Sequence, residues 1–413
     1  MITKIPSIKD LNLTVIIGGM IYISPDSIIF KSFSTEKIQL FTILFLCSTS
    51  IFLIHRILKN SIPITTRNVL IFIYLVTSVL LSSLINLDFS LGFYYLILLF
   101  ITSFLIAHFY GIERIARVFN KWIIFICINS IVLFVILSVF SELLIAIPTI
   151  ENSRDIAYKN LYIVATFVDV SSQRVIGIFR EPGVFSVYIT VALIFNLFVL
   201  SDSKNINWVL IITMLLTFST SGYIALILVF IASFVKNSKG IKSLPSIFFV
   251  VMVSVIIVSF NFDLFGLVFN KFDSSSSSYG TFLARSASVF VNADIIINNF
   301  FFGVGLTDYP EQFFDFSIQI YGIGLESGTQ STNTFFAHGA VLGAGVMVTT
   351  LFLIWRLAKS VSNKNVIVCV LIFLAILSVL SSQDLRFSNL FNLLIFLGVT
   401  TNFERLNYNK RIS

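Results

Sequence analysis

Twelve apolar runs dominate this chain, near residues 11–30, 38–54, 68–85, 89–109, 122–147, 182–200, 206–219, 222–235, 244–262, 333–355, 366–381 and 388–401. A segment crossing a bilayer needs about 20 apolar residues, and its backbone polar groups must be satisfied within the segment, so such runs fold as α-helices. Charged residues make up 11% of the 413, against roughly 25% in soluble domains. The pattern predicts an all-α polytopic membrane protein, a single integral domain over 1–413 with about 12 transmembrane helices. A net charge of +7 could point to nucleic acid, but no basic run or recognition motif accompanies it, so no such partner is expected. Cys47, Cys127 and Cys369 lie singly inside apolar segments, which argues against a disulfide framework and against a paired-cysteine metal site. The polar start, 1–10, leads into a run that no small-residue cleavage site closes, unlike a cleaved signal.

The charges sort by side. With the N-terminus in the cytoplasm and every run crossing, 18 of the 27 Lys and Arg fall in cytoplasmic segments, as the positive-inside rule requires. Joining the runs on either side of Ser219-Thr220-Ser221-Gly222 would put the basic segments after residue 235 on the wrong side. Two short helices meeting at the serines are therefore expected, with both termini inside. On this topology the extracytoplasmic side carries two long segments, 148–181 and 263–332. Loops beyond about 12–15 residues are usually functional or disordered, so the working surface should face outward. The serine run 274–278 reads as a flexible tether.

The first long segment ends in Gln173-Arg174-Val175-Ile176-Gly177-Ile178-Phe179-Arg180-Glu181-Pro182-Gly183, a concentration of charge and turn residues leading into an apolar helix. Ionisable residues beside a bilayer are costly and mark functional sites. The other reading is a snorkelling interfacial anchor, and this is the role expected of Arg154 and Arg386. Arginine's planar fork suits bidentate phosphate binding. Glu181 has three readings: general base, partner of an arginine, or negative charge at a helix N-terminus ahead of Pro182.

In the second segment Arg285 precedes an expected helix through Asn299, then Gly303-Val304-Gly305, where a Gly-x-Gly pair lets backbone approach a ligand closely. Nearby aromatics, among them Tyr309, Phe313 and Phe314, could stack on sugars or line the apolar side of an interfacial helix. His338 is the only histidine near the outer face, on an expected helix over 333–355, and could act as a general base toward a hydroxyl. Gly339, Gly343 and Gly345 around it point instead to a close-packed helix in which the histidine bonds a neighbour. No His, Asp and Glu cluster has metal-ligand spacing.

Four fragments, in this order, resemble the bacterial O-antigen polymerase and O-antigen ligase superfamily. Arg174-x-x-Gly177-x-Phe179-x-Glu181-Pro182-Gly183 is similar to its R-x-x-G-x-F-x-E-P-G element. Thr217-Phe218-Ser219-Thr220-Ser221-Gly222 resembles its T-x-S-R-x-G turn, with Thr220 in the place of arginine. Arg285, ahead of Phe302-Gly303-Val304-Gly305, is similar to the arginine before its P-x-x-G-x-G, with Phe300 in the place of proline. Thr332-Asn333-Thr334-Phe335-Phe336, with Gly343, is similar to its H-N-x-x-L…G element, with Thr332 in the place of histidine. The resemblance covers about residues 170–360.

The resemblance implies a metal-independent glycosyltransferase with GT-C-like architecture in a bacterial cytoplasmic membrane, using no cofactor and no nucleotide sugar. The implied reaction joins oligosaccharide repeat units carried on undecaprenyl pyrophosphate, building O-antigen or capsule at the outer face, alongside a chain-length regulator and a flippase. Arg174 and Arg285 would hold the pyrophosphate and His338 or Glu181 would act as base. Arg180, Gly177, Gly303, Gly305, Asn333 and Ser219 would contact substrate. Two alternatives remain: a ligase moving finished glycan to lipid A core, which the histidine lost at Thr332 disfavours, and a lipid-linked oligosaccharide flippase, which uncharged spans and long outer loops disfavour.

Overall fold

The structure, a computed structural model, describes residues 8–28, 35–140, 142, 147–151, 157–168, 174–200, 204–236, 279–322, 324–327 and 331–401. The apolar run 244–262, the serine run 274–278 and Arg154 lie outside them. Of the described residues, 75% are helical. In order come α1 (Ile8–Tyr22), α2 (Thr35–Lys59), α3 (Thr66–Ile85) and α4 (Leu91–Val139). After three short strands follow α5 (Pro182–Ile194, continued by a π-helical stretch to Leu200), α6 (Lys204–Leu216) and α7 (Thr220–Lys236). The rest are α8 (Tyr279–Asn298), α9 (Tyr309–Tyr321), α10 (Thr334–Leu342), α11 (Ala344–Val361), α12 (Val366–Leu380) and α13 (Asn389–Thr400). Among the described residues, five segments are long and apolar enough to cross a membrane: Gln39–Lys59, Thr66–Ile85, Leu91–Val139, Pro182–Leu200 and Ala344–Val361.

Two helices form the middle. Every residue of α5 from Val184 to Ile194 is buried, and so is every residue of α13 from Asn389 to Val399. A helix that is apolar all round belongs inside a bundle, and these two have no polar stripe. α5 packs on α4, α6, α7 and α12, while α13 packs on α1, α3, α4 and α11. The outer helices α2, α3 and α4 instead expose large apolar side chains such as Ile51, Leu70 and Val135, a surface suited to lipid tails.

The expected all-α chain needs correcting in its first long segment. There β1 (Thr149–Glu151), β2 (Ala157–Asn160) and β3 (Ala165–Phe167) form an antiparallel sheet in that order. Alternation of side chains buries Tyr158 and Asn160 on one face of β2. The second long segment also holds ordered elements, α8 and α9. α9 buries Tyr309, Phe313 and Ser317 at four-residue spacing and leaves Phe314 and Ile318 exposed, an amphipathic pattern. Between the runs 89–109 and 122–147 the basic stretch from Arg114 to Lys121 is helical, because Gly111 (φ 71) alone makes the bend inside α4.

The helix expected over 333–355 is likewise two helices, broken at Gly343 (φ 95). Another piece of backbone enters the gap. Val304 and Gly305 donate to the carbonyls of Ala340 (2.9 Å) and Val341 (3.2 Å), and Ala344 donates to Phe300 O (2.8 Å). Asp88, between α3 and α4, closes the far side by accepting from the N–H groups of Leu306 and Thr307, both at 2.7 Å. A Cβ on Gly303 (φ +66) would stand 2.4 Å from the Val341 carbonyl, whereas one on Gly322 (φ +69) would meet nothing within 4 Å. Gly322→Ala should therefore cost only backbone strain, about 1–2 kcal/mol. Gly303→Ala should cost clearly more, read as a larger fall in melting temperature of the detergent-purified protein. Equal falls would refute the contact account.

Candidate active site

Arg174 enters the bundle at the end of α6, where the last turn leaves carbonyls without intrahelical partners. Its Nε and Nη2 donate to the carbonyls of Thr217 (3.1 Å) and Phe218 (2.8 Å), and the Val175 N–H donates to Leu216 O (3.0 Å). A cation suits this negative end of a helix. Burial is the main force lowering the Arg174 pKa, and the Arg285 cation lowers it further, while Tyr223 and Glu181 act in the opposite sense. Glu181 also supports the charge on Arg285. Arg174, Glu181 and Arg285 thus share one neighbourhood, although Arg285 lies more than a hundred residues further along the chain.

Past Gly177, whose positive φ of 64° turns the chain, the segment is pinned on both sides. Gly177 O accepts from the Ala165 N–H of β3 (2.6 Å), and Tyr158 OH donates to Arg180 O (2.7 Å). Opposite the sheet, the stretch after α1 pairs with it: Phe179 bridges Ser27, Ile28 donates to Ile178 O (2.9 Å), and Arg180 N–H donates to Asp26 O (2.9 Å). The Arg180 side chain then reaches the turn between α12 and α13, where Nη2 donates to the Asp384 carbonyl (2.7 Å). Glu181 takes the N-cap position of α5 ahead of Pro182, where a negative charge is expected, without making a side-chain cap bond.

Other expected site residues are structural neighbours of this segment. Ser219 belongs to a chain of hydroxyls running from Ser186 (3.2 Å) through Ser221 (3.2 Å) to Ser382 (2.9 Å from Ser221), which ties α5, the α6–α7 turn and the α12–α13 turn together. Asn333 caps α10, its Oδ1 accepting from Phe335 (3.1 Å) and Phe336 (3.2 Å). Beside it, Thr332 N–H donates to Ser288 Oγ on α8 (3.0 Å), one turn from Arg285.

Comparison with protein-family models, curated proteins and solved structures finds no match to this chain.

Gly303 and Gly305 lie at the other end of α10 from Asn333. Their N–H groups are already engaged, with Asn299 O (3.0 Å) and Val341 O (3.2 Å) respectively, so the role seen for the pair is close backbone packing and not a ligand cradle. His338 is 1% exposed and wedged edge-on between Phe100 and Phe391, with both ring nitrogens lacking a hydrogen-bond partner. That environment suits a packed neutral imidazole better than a base meeting a substrate hydroxyl.

Two further groups hold the site together, one with no mark in the sequence pattern and one expected to have another role. Asp26 (2% exposed) sits inside an apolar run, and its Oδ2 accepts from the hydroxyls of Ser24 (3.1 Å), Tyr188 (2.9 Å) and Ser388. Tyr188 lies on α5 and Ser388 caps α13, so one carboxylate joins both central helices. The second is Arg386, expected to be a plain anchor. It forms a fork with Asp384, Nε to Oδ1 at 2.9 Å and Nη2 to Oδ2 at 2.7 Å, and its guanidinium lies 4.6 Å above the Tyr309 ring. Burial would raise the Asp384 carboxyl, but Arg386, and Arg180 more weakly, hold it below the ordinary carboxylate range. A signal is present, since Asp384 and Arg386 are the only charged residues between Lys364 and Glu404.

Among the described residues, four buried guanidinium nitrogens lack an acceptor: Arg180 Nε, Arg285 Nε, Arg386 Nη1 and Arg356 Nη1. The first three belong to this end of the bundle. No group of three His, Cys, Asp or Glu residues that could hold a metal ion occurs among the described residues.

Proposed function

We propose that the chain is a polysaccharide polymerase, joining oligosaccharide repeat units carried on undecaprenyl pyrophosphate at the outer face of a bacterial cytoplasmic membrane. The observation that supports this best is the meeting of Arg174 and Arg285 beside Glu181, with a buried Nε donor on Arg285, and another on Arg180 next to Glu181 in the chain, that an anion would satisfy. A buried donor without an acceptor costs about 1–3 kcal/mol, so phosphate oxygens here would gain both charge and hydrogen bonding. Arg174 is preset by the carbonyls at the end of α6.

In the reaction, a hydroxyl oxygen of the incoming unit bonds to the anomeric carbon of the growing chain. The bond from that carbon to the pyrophosphate oxygen breaks, and its electron pair leaves with the lipid pyrophosphate. Arg174 and Arg285 stabilise that departing charge, and such preorganised stabilisation usually contributes more to catalysis than any other single effect. The hydroxyl proton passes to the Glu181 carboxylate, which stands next to the arginines without being used as a cap. His338, packed among phenyl rings, positions α10.

The surface glycan of a strain lacking the gene tests this reading. Single repeat units attached to the normal acceptor are expected. Long chains left on the carrier would identify a ligase, and units retained on the cytoplasmic leaflet a flippase; either result overturns the proposal. The charge sorting further predicts that Ile163→Cys, exposed beside β2, reacts with an impermeant thiol reagent in intact cells, while Thr65→Cys, exposed ahead of α3, reacts only after lysis. The opposite pattern would invert the topology and remove the arginines from the outer face.

A further inference from the structure

On the strength of that phosphate-binding reading, we propose that Arg386 is a further anion-recognising residue, paired with Arg180 across Asp384. The site then offers two arginine pairs, Arg174 with Arg285 and Arg180 with Arg386, one for each phosphate of a lipid diphosphate. Asp384 is a positioning residue, holding both members of the second pair without touching substrate.

The contacts of the α12–α13 turn support this. Asp384 meets Arg180 through its backbone carbonyl (2.7 Å) and Arg386 through both carboxylate oxygens. One residue earlier, the Gln383 side chain lies so close to Gly183 that a Cβ there would stand 2.3 Å from its Nε2. Ser382, before it, joins the hydroxyl chain that ends beside the carbonyls holding Arg174. The turn therefore touches at once the start of α5, next to Arg180, and the α6–α7 turn, which holds Arg174.

Tyr309 connects Arg386 to the remaining arginine. Its ring supports the guanidinium at 4.6 Å, a favourable cation–π placement. Its hydroxyl donates to Asn292 Oδ1 (2.8 Å) and meets Ser331 Oγ (2.7 Å); Asn292 is on α8, two turns after Arg285. If Arg386 only tied its own turn together, the fork to Asp384 would be enough. Yet Nη1 remains buried without a partner while 11% of the side chain stays open. Buried polar atoms are satisfied in the great majority of cases, so an unpaired guanidinium nitrogen in each of Arg180, Arg285 and Arg386 calls for a common explanation. The charge balance fits. Four arginines against Glu181 and Asp384 leave two positive charges, matching the one negative charge on each phosphate of a pyrophosphate diester.

The test uses the full-length protein in detergent, with inorganic pyrophosphate and inorganic phosphate as probes in titration calorimetry. The unmodified protein should prefer pyrophosphate. Arg386→Gln should weaken pyrophosphate binding about 10–100-fold, the loss of one charge-assisted hydrogen bond, and leave phosphate binding nearly unchanged. Arg386→Lys should recover part of the loss, since an ammonium restores charge without the fork. Asp384→Asn should reduce the pyrophosphate preference while keeping every arginine. Because a lone buried Asp384 could destabilise the single variant, the Asp384→Asn/Arg386→Gln double variant removes both charges at nearly constant volume. It should melt close to the unmodified protein and still lack the stabilisation by pyrophosphate.

Unchanged pyrophosphate affinity in Arg386→Gln and in the double variant overturns the inference. Should Arg174→Ala and Arg285→Ala lose binding while the Arg386 variants keep it, only this inference fails and the polymerase reading stands. No pyrophosphate binding by the unmodified protein would remove both.

Discussion

Alanine in place of Arg174 or Arg285 should reduce chain polymerisation by about 10²–10³-fold, the typical loss when one group stabilising a developing charge is deleted. The two positions should differ in their side effects. Arg174 also satisfies the Thr217 and Phe218 carbonyls at the end of α6, so its alanine variant should melt somewhat lower. Arg285 has a buried Nε without an acceptor, so its removal should leave stability nearly unchanged while turnover collapses. Lysine should restore only part of the activity at either position, because it returns the charge but not the two-pronged geometry. The measurement is chain length and rate in a reconstituted assay, normalised to folded protein. Arginines that merely anchor the chain at an interface would lower abundance on substitution and work equally well as lysine, and that outcome would sink the catalytic assignment.

Asp26→Ala should be among the most destabilising single changes in the molecule. Three hydroxyl donors, Ser24, Tyr188 and Ser388, would lose a charged acceptor, at about 1.5–3 kcal/mol for each such bond before relaxation. Little folded protein should then survive purification, judged by fluorescence-detected size exclusion after heating. Asp26→Asn keeps an acceptor oxygen and should be milder, and Ser24→Ala, which removes one donor, milder again. Near-normal melting of the alanine variant would show that the carboxylate is not the joint described.

Much of the helical framework is legible in the sequence, because long apolar runs leave the backbone no other way to satisfy its polar groups. The split at the serines is an example: α6 ends at Leu216 and α7 begins at Thr220, where charge sorting places a turn. The sheet is not legible, since strands of three or four residues are too short to show a period. Nor is the break at Gly343. Its glycines signal close packing, but the partner is the backbone of Phe300–Gly305, a tertiary event with no local trace. At the site, Arg174, Arg180, Glu181 and Arg285 stand out as charges beside a membrane. Asp26 is hidden because a carboxylate inside an apolar run blends into the span, and Arg386 because a lone turn arginine looks like an anchor.

The burial of α13 on every side has a consequence for how the molecule is made. Ser388 and Asp26 are separated by 362 residues, yet they share one hydrogen bond. At the usual pace of synthesis, about 5–20 residues per second, Asp26 emerges roughly 20–70 s before its partner. Until α13 is made, the space between α1, α3, α4 and α11 stays empty of the helix it is shaped for. The centre of the bundle therefore closes only as the last described helix slides into it, so a chain interrupted before residue 389 should be present as an open bundle for proteases to remove.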